Sequence, residues 1–240
     1  MNLEQLRKDI FPSELILKLY RDIPNAQYEE KIKLVNDYID EVQDIYDEDV
    51  LKIKKHNQIA FCYWMAEQYP LAIQHFEMVV ENMEPEDYPH LYFLALNLLI
   101  RGNRILSNYE IAEKWAELAW ENHHLAHAIS NLHILNDYTD VITETKTILD
   151  KKYYPLIRSI IDEYGFPEEL EDPVKTIRSM NQRHKLWSIK YGEIVMTFRK
   201  SDHEKYIREL EQFIDSCEIE WYRNYAEKTV ERLKKQVAHD

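Results

Sequence analysis

Histidine side chains, which can bind metal ions, concentrate in one short stretch. His123, His124 and His127 follow Glu121, and His133 comes shortly after them. On a helix His123 and His127 would share a face, and Glu121 with His124 has the Glu-x-x-His spacing of di-iron helical bundles. Such a site needs a second motif of this kind, and the sequence contains none. We therefore predict a helix boundary with packed or solvated histidines, no metal site and no cofactor.

A second group of residues could support acid–base catalysis. Arg178 and His184 have a loose spacing found in some helical ribonucleases, and Asn181 and Arg183 lie between them. The same residues also fit an ordinary polar helix face. The sequence has no glycine-rich phosphate loop, no Cys-x-x-Cys pair and no nucleophile elbow. We therefore predict that the protein is not an enzyme, with a metal-dependent enzyme or a ribonuclease as the alternative.

The composition indicates the elements that must position any such site. The 240 residues include only 3 glycines and 8 prolines, and sheets or long loops usually need more turn residues than that. We therefore predict an all-α fold with short connections. The formal net charge is −14, and no contiguous basic patch is visible, so nucleic acid is not expected as a partner.

Three further features bear on where the protein acts. No segment approaches the roughly 18 apolar residues that a membrane-spanning helix needs, and the amino terminus lacks the apolar core of a signal peptide. The two cysteines, Cys62 and Cys217, are far apart and both fall within helical patterns. We predict a cytoplasmic protein with buried, reduced thiols and no membrane partner.

Acidic residues are densest between positions 37 and 49. The pattern is typical of a solvated helix face, and it also fits a docking surface for a basic partner. In the second case the protein would be an inhibitor or immunity-type protein that blocks a basic toxin or nuclease. The residues of this predicted acidic surface are Asp37, Asp40, Glu41, Asp44, Asp47 and Glu48.

The stretch from residue 53 to residue 85 has the pattern of two helices joined by a tight turn at 67–70. Apolar and small residues recur in it with the 3.6-residue period of a helix. They are Ile59, Ala60 and Tyr63 in the first helix and Ala72, Phe76 and Val79 in the second. Small side chains at positions 60 and 72 would let the two helices approach closely.

Related turn signatures follow further along the chain. They lie at Asn108-Tyr109, Asp137-Tyr138 and Asp202-His203. Counted from the turn at 67–70, the first two of them follow after about 40 and then 29 residues. Each offers a short polar or amide side chain at a helix start. Gly102 is predicted to end a helix in the left-handed conformation. In the last third of the chain, Trp187 is echoed by Trp221 after 34 residues.

These helix–turn–helix patterns resemble the tetratricopeptide (TPR) repeat, over residues 53–150 and 184–240. The resemblance implies an α-α superhelix, in which antiparallel helix pairs stack into an irregular solenoid. The prolines and glycine within 153–174 suggest a break. We therefore predict amino-terminal helical repeats at 1–152, an irregular connection at 153–183, and a helix pair with a capping helix at 184–240.

The resemblance also implies a function, which is non-covalent binding of a protein or peptide in a concave groove. The first helix of each pair would line the groove, and an alternative is that its aromatic residues only fill the interface between repeats. Some family members hold a terminal carboxylate with Lys and Asn four residues apart, a pattern not met here. The predicted groove residues are Lys54, Asn57, Phe61, Trp64, Met65, Asn97, Arg101, Arg104, Ser130 and His133.

Overall fold

The computed structural model describes residues 1–197 and 203–237. Within these ranges the chain forms 12 α-helices and no strand, so the predicted all-α class is confirmed. None of the described helices is long and apolar enough to cross a membrane. The helices are α1 Leu3–Leu6, α2 Ser13–Leu17, α3 Tyr28–Val42, α4 Glu48–Met65, α5 Tyr69–Glu81, α6 Pro89–Ile105, α7 Tyr109–Glu121, α8 Ala128–Thr145, α9 Tyr154–Tyr164, α10 Pro173–Thr197, α11 His203–Ser216 and α12 Glu220–Val237.

Contacts between Cα atoms divide the chain into two compact units, Met1–Thr147 and Ile148–Asp240. The first unit holds α1 to α8, and the second holds α9 to α12. The predicted divisions at residues 152 and 183 stay predictions, although residue 183 lies inside the continuous helix α10.

In the amino-terminal unit each helix from α3 to α8 packs against its neighbours in the chain, while α1 packs against α4. Helix α4 packs against α5, α5 against α6, and α6 against both α7 and α8. Proline stands at the start of α5 and α6, where its missing N–H group costs no helical hydrogen bond. This arrangement of neighbouring helices is compatible with a helical repeat.

The connections after α4, α6 and α8 share one backbone geometry. A residue with positive φ ends each helix: Glu67 (59°), Ser107 (60°) and Lys146 (57°). After the first two, the next N–H group reaches back to a helix carbonyl, from Gln68 to Tyr63 at 2.9 Å and from Asn108 to Asn103 at 2.8 Å. The turns predicted at 67–70 and at 108–109 are therefore confirmed. The positive-φ positions recur after 40 and then 39 residues, not after 34.

Two other expectations about turns were wrong. Asp137 and Tyr138 lie inside α8 and not at a turn, because contacts from α6 satisfy the Asp137 carboxylate within the protein. Gly102 lies inside α6 with no positive φ. A Cβ at position 102 would stand 3.0 Å from Ile73 Cγ1 and 3.3 Å from Trp64 Cζ3, so the glycine permits close helix packing.

The predicted acidic helix is also interrupted. Helix α3 ends at Val42 and α4 begins at Glu48. Between them Asp47 caps α4, since its side chain accepts hydrogen bonds from the N–H groups of Asp49 and Val50. A strong cap at this position starts a new helix instead of continuing the old one.

In the carboxy-terminal unit α10 packs against α9 and α11, and α11 packs against α12. Trp187 is 4% exposed in the middle of α10 and lies against the Phe213 ring, whereas Trp221 is 37% exposed in the first turn of α12. The two tryptophans therefore do not occupy equivalent places, and the predicted 34-residue period was wrong here. The predicted turn at Asp202 lies outside the described residues, while His203 begins α11.

Candidate binding surface

The shared turn geometry sets a common register for α4, α6 and α8. Counting back from the positive-φ residues places Asn57, Asn97 and Asn136 at equivalent positions. The surroundings of the first two differ. Asn97 is 8% exposed and donates a hydrogen bond to Asp137 Oδ2 at 2.6 Å. Asn57 Oδ1 is buried and has no hydrogen-bond partner.

Arg101 completes a polar cluster with Asn97 and Asp137. Its Nη2 lies 2.9 Å from Asp137 Oδ2, and its Nε donates to both carboxylate oxygens. Asp137 is 3% exposed, and burial raises the pKa of its carboxyl group more than the Arg101 guanidinium lowers it. Arg101 thus helps to hold α6 against α8.

Arg104 makes a second link between the same helices. Its Nη1 donates to Glu144 Oε1 at 2.7 Å, and its Nη2 lies 3.9 Å from Asp140 Oδ2. The side chain is 22% exposed. The two predicted groove arginines are therefore held within the protein, although Arg101 keeps 40% of its side chain exposed.

The aromatic groove residues of α4 pack mainly against α5. The Phe61 and Phe76 rings meet edge to face with centroids 5.4 Å apart, and the Trp64 ring lies 5.2 Å from Tyr69 in the same manner. Both α4 rings are half-buried. The structure accordingly gives Phe61 and Trp64 a packing role inside the first helix pair.

The remaining predicted groove residues differ in exposure. Met65 is 45% exposed at the end of α4. In α8, Ser130 is half-buried and His133 is exposed. These three side chains lie on α4 and α8 and remain within reach of a partner.

Lys54 and Asn57 line a pocket of about 520 Å³. The lining residues come from the segment between α1 and the end of α2 and from α4: Asp9, Ile10, Phe11, Ser13, Ile16, Leu17, Lys54, Asn57 and Gln58. The segment is anchored by Tyr38, whose hydroxyl donates to Ile10 O at 2.5 Å, and by Ile10 itself, which belongs to a core cluster with Val35 and Ile59. Sequence reasoning missed this pocket, because no local signal shows that the segment lies over α4.

The predicted histidine cluster lies at a helix boundary. His123 and His124 are in a 3₁₀ turn, His123–Leu125, and His127 stands directly before α8. The His123 ring stacks on Trp120 with centroids 4.3 Å apart. Among the residues that the structure describes, no group of three or more His, Cys, Asp or Glu side chains could hold a metal ion.

A different histidine pair comes together in the first helix pair. His56 Nδ1 lies 2.9 Å from His75 Nδ1 across α4 and α5. Burial, the neighbouring His56 and Lys55 lower the pKa of His75 to about 4. At neutral pH both rings are therefore uncharged, and one of the two nitrogens donates to the other.

Near the predicted ribonuclease-like residues the structure shows ordinary packing contacts. His184 Nδ1 lies 3.1 Å from the Tyr222 hydroxyl. Arg183 Nε donates to Glu168 Oε1 at 2.8 Å, and its guanidinium also pairs with Glu218. The pairing of Arg183 with two carboxylates fits a structural role in the carboxy-terminal unit.

Most of the predicted acidic surface faces solvent. Five of its six residues are exposed, while Asp47, the α4 cap, is half-buried. The exposed five are Asp37, Asp40, Glu41, Asp44 and Glu48. Lys33 pairs with Asp37 at 2.5 Å, which removes part of the negative charge at that end.

Comparison of the chain with protein-family models, with curated proteins and with solved structures found no match in any of the three. The fold defines a class, an all-α protein whose helices pack against one another in a way compatible with a helical repeat.

Proposed function

We propose that this protein is a non-catalytic binding module that recognises a protein or peptide through the helices α4, α6 and α8. The observation that supports the proposal is the geometry that ends the three helices, a residue with positive φ after each of them. Helices in register present rows of side chains at regular intervals, and such rows suit an extended peptide. A TPR-like superhelix and a cytoplasmic location belong to the same proposal.

The structure suggests which residues are free for this task. Arg101 and Arg104 hold α6 to α8 through carboxylates, so changing them to alanine would disturb the fold together with any binding. Met65 is a better probe, because it is exposed and packs in no described aromatic cluster. Leu71 of α5 is a matched control, with an exposed fraction of 37% against 45% for Met65.

The test is selection of binding peptides from a displayed random library, followed by titration of the selected peptides against the purified variants. Met65→Arg should weaken binding at least tenfold, while Leu71→Arg should leave it unchanged. A library that yields no peptide above background would contradict the proposal. Loss of binding in Leu71→Arg alone would assign recognition to the second helices and would also contradict it.

A second candidate function rests on the exposed carboxylates at the end of α3. An inhibitor of a basic toxin or nuclease would use such a surface to attract its target, with an association rate that falls steeply as salt rises. Asp40→Lys with Glu41→Lys should slow capture of a basic protein at low salt at least tenfold. Equal association rates for this variant and the wild type would exclude the acidic surface as the binding site.

A further inference from the structure

The pocket between the amino-terminal segment and α4 contains a buried cation without a counter-ion. Lys54 is 8% exposed, and its Nζ lies 5.2 Å from the centre of the Tyr88 ring. Within the described part of the chain it forms no ion pair or hydrogen bond. Burial lowers the pKa of the Lys54 amine, and Asp9 on the exposed rim only partly opposes that effect. Lys54 Nζ is not among the fully buried atoms that lack a hydrogen-bond partner, so an anion in the pocket can reach it, and pairing there would be stronger than at an exposed lysine.

One turn further along the same wall of the pocket, a second polar group lacks a partner. The buried Asn57 Oδ1 accepts no hydrogen bond, although it needs a donor. Gln58 beside it is already used, since its Nε2 donates to the Tyr20 hydroxyl at 2.6 Å. The pocket therefore offers one cation and one hydrogen-bond acceptor, three residues apart on α4.

The opposite wall is apolar. Ile10 is 4% exposed, Phe11 and Ile16 are half-buried, and Leu17 is exposed at the mouth. The volume of about 520 Å³ lies within the range of small-molecule sites. Such a pocket is too small for a helix and large enough for a molecule the size of an amino-acid derivative.

We propose that this pocket binds a small organic acid that carries a carboxylate, one hydrogen-bond donor on the adjacent carbon, and an apolar group. The carboxylate pairs with Lys54 Nζ, and the apolar group lies against Ile10, Phe11 and Ile16. The donor bonds to Asn57 Oδ1, whose side chain turns from its buried position toward the pocket to accept it. Apolar α-acylamino acids and α-hydroxy acids both have this chemistry. Binding would satisfy the two polar groups that the protein itself leaves unpaired.

The probes are N-acetyl-L-leucine and 2-hydroxyisocaproic acid, with N-acetyl-L-leucinamide as the uncharged counterpart. In isothermal titration with the full chain, both acids should bind, and the amide should bind at least tenfold more weakly. Equal affinity for acid and amide, or no heat of binding from either acid, would overturn the proposal. A tripeptide that ends in leucine distinguishes the source: if it binds tenfold more tightly than N-acetyl-L-leucine, the site takes a chain terminus and the small-molecule proposal fails.

Two substitutions test the residues. Lys54→Met removes the cation and should weaken binding of both acids at least tenfold, while Lys55→Met makes the same charge change on α4 outside the pocket and should not. Asn57→Asp supplies an internal carboxylate to Lys54, so we expect a higher melting temperature together with loss of acid binding. A Lys54→Met variant that unfolds like the wild type and binds the acids equally well would exclude Lys54.

This proposal is independent of the peptide surface, and the two can fail separately. Peptides selected on the protein should bind Lys54→Met as well as the wild type if the pocket and the surface are distinct. If those peptides also lose affinity for Lys54→Met and compete with N-acetyl-L-leucine, the pocket would be part of the peptide surface and the small-acid proposal would be wrong.

Discussion

The helix pairs α4–α5 and α6–α7 have the same backbone turn and different interiors. Gln68 and Asn108 have identical backbone angles (φ −84°, ψ 59°). On the second helices, Phe76 corresponds to Ala116, and each is fully or nearly fully buried. The first pair thus places a ring at this inner position, whereas the second pair places a small residue there.

The inner positions of the first helices, α4 and α6, also differ between the two pairs. In α6, Asn97 and Arg101 are used to bind α8 through Asp137. In α4, the equivalent positions hold Asn57, which has an unpaired oxygen, and Phe61. The common register thus fixes where side chains lie but not what they do. Helix α6 uses its polar residues to hold α8, whereas Asn57 of α4 keeps a buried oxygen without a partner.

The largest expected effect comes from removing the ring that distinguishes the first interior. Phe76→Ala should lower the free energy of unfolding by about 3–5 kcal/mol, because Phe76 is fully buried and contacts the rings of Phe61 and Trp64. Urea titration followed by circular dichroism measures the change. Leu71→Ala, at an exposed site on the same helix, should change it by less than about 0.5 kcal/mol.

The polar contact that joins α6 to α8 can be broken at Arg101. Arg101→Ala leaves the Asp137 carboxylate buried without its guanidinium partner and should cost about 2–4 kcal/mol. Arg101→Leu combined with Asp137→Leu should recover most of that loss, since neither charge then remains. An Arg101→Ala variant as stable as the wild type would show that the Asp137 carboxylate does not need the Arg101 guanidinium as its partner.

The place where the two helices of a pair cross can be compared between the two pairs at one equivalent position. Ala72 and Ala112 are equivalent and both are fully buried. Leucine at either site should overpack the crossing and cost about 1–3 kcal/mol. Thermal unfolding of the two single variants gives the comparison. A neutral result at position 72 with a clear loss at 112 would mean that the rings of the first pair can rearrange.

The smallest expected effect is a pH dependence that His75 gives to the first pair. His75 titrates in the unfolded chain near its ordinary pKa of 6.5 and in the folded chain near 4. Between those values the unfolded chain binds more protons, so stability is full above pH 6.5 and falls on acidification toward pH 4. Because His75 is half-buried and coupled to His56, we expect a loss of about 1–2 kcal/mol.

The matched comparison for this effect is His75→Gln, which can still bond to His56 but does not titrate. Stability measured by urea titration at pH 7 and at pH 4.5 should differ less for the variant than for the wild type. Carboxylates elsewhere contribute equally to both proteins, so only the difference between them counts. Equal pH dependence in the two proteins would show that the pKa of His75 is the same in the folded and the unfolded chain.

Local patterns predicted the all-α class and the first two turns correctly, because amphipathic spacing and turn residues act over a few residues. They failed at Asp137 because aspartate is also common at helix starts. Only its contact with Arg101, which lies on another helix, shows that this residue belongs inside α8. They failed at Gly102 for a related reason. A Cβ at this position would crowd Ile73 and Trp64, which are distant in sequence. The helical class was thus available from sequence, whereas contacts between distant residues were not.

The candidate site shows the same limit. Lys54 and Asn57 were predicted as groove residues from the resemblance to a repeat family, and the structure places both in one pocket. The apolar wall that faces them comes from a segment some 40 residues earlier. The resemblance offered no guide to that segment, and its own sequence gives only short helices.

The segment that walls the pocket also bears on the order in which the protein folds. The helix pairs form from contacts between neighbours in the chain, which form quickly because little loop entropy is lost. The segment instead docks through Arg7, which donates to the carbonyls of Glu86 and Asp87 across about 80 residues. We therefore expect it to join the helices late in folding and to detach first by local opening. Small molecules could then enter the pocket through brief departures of its own wall, while the helix pairs stay assembled.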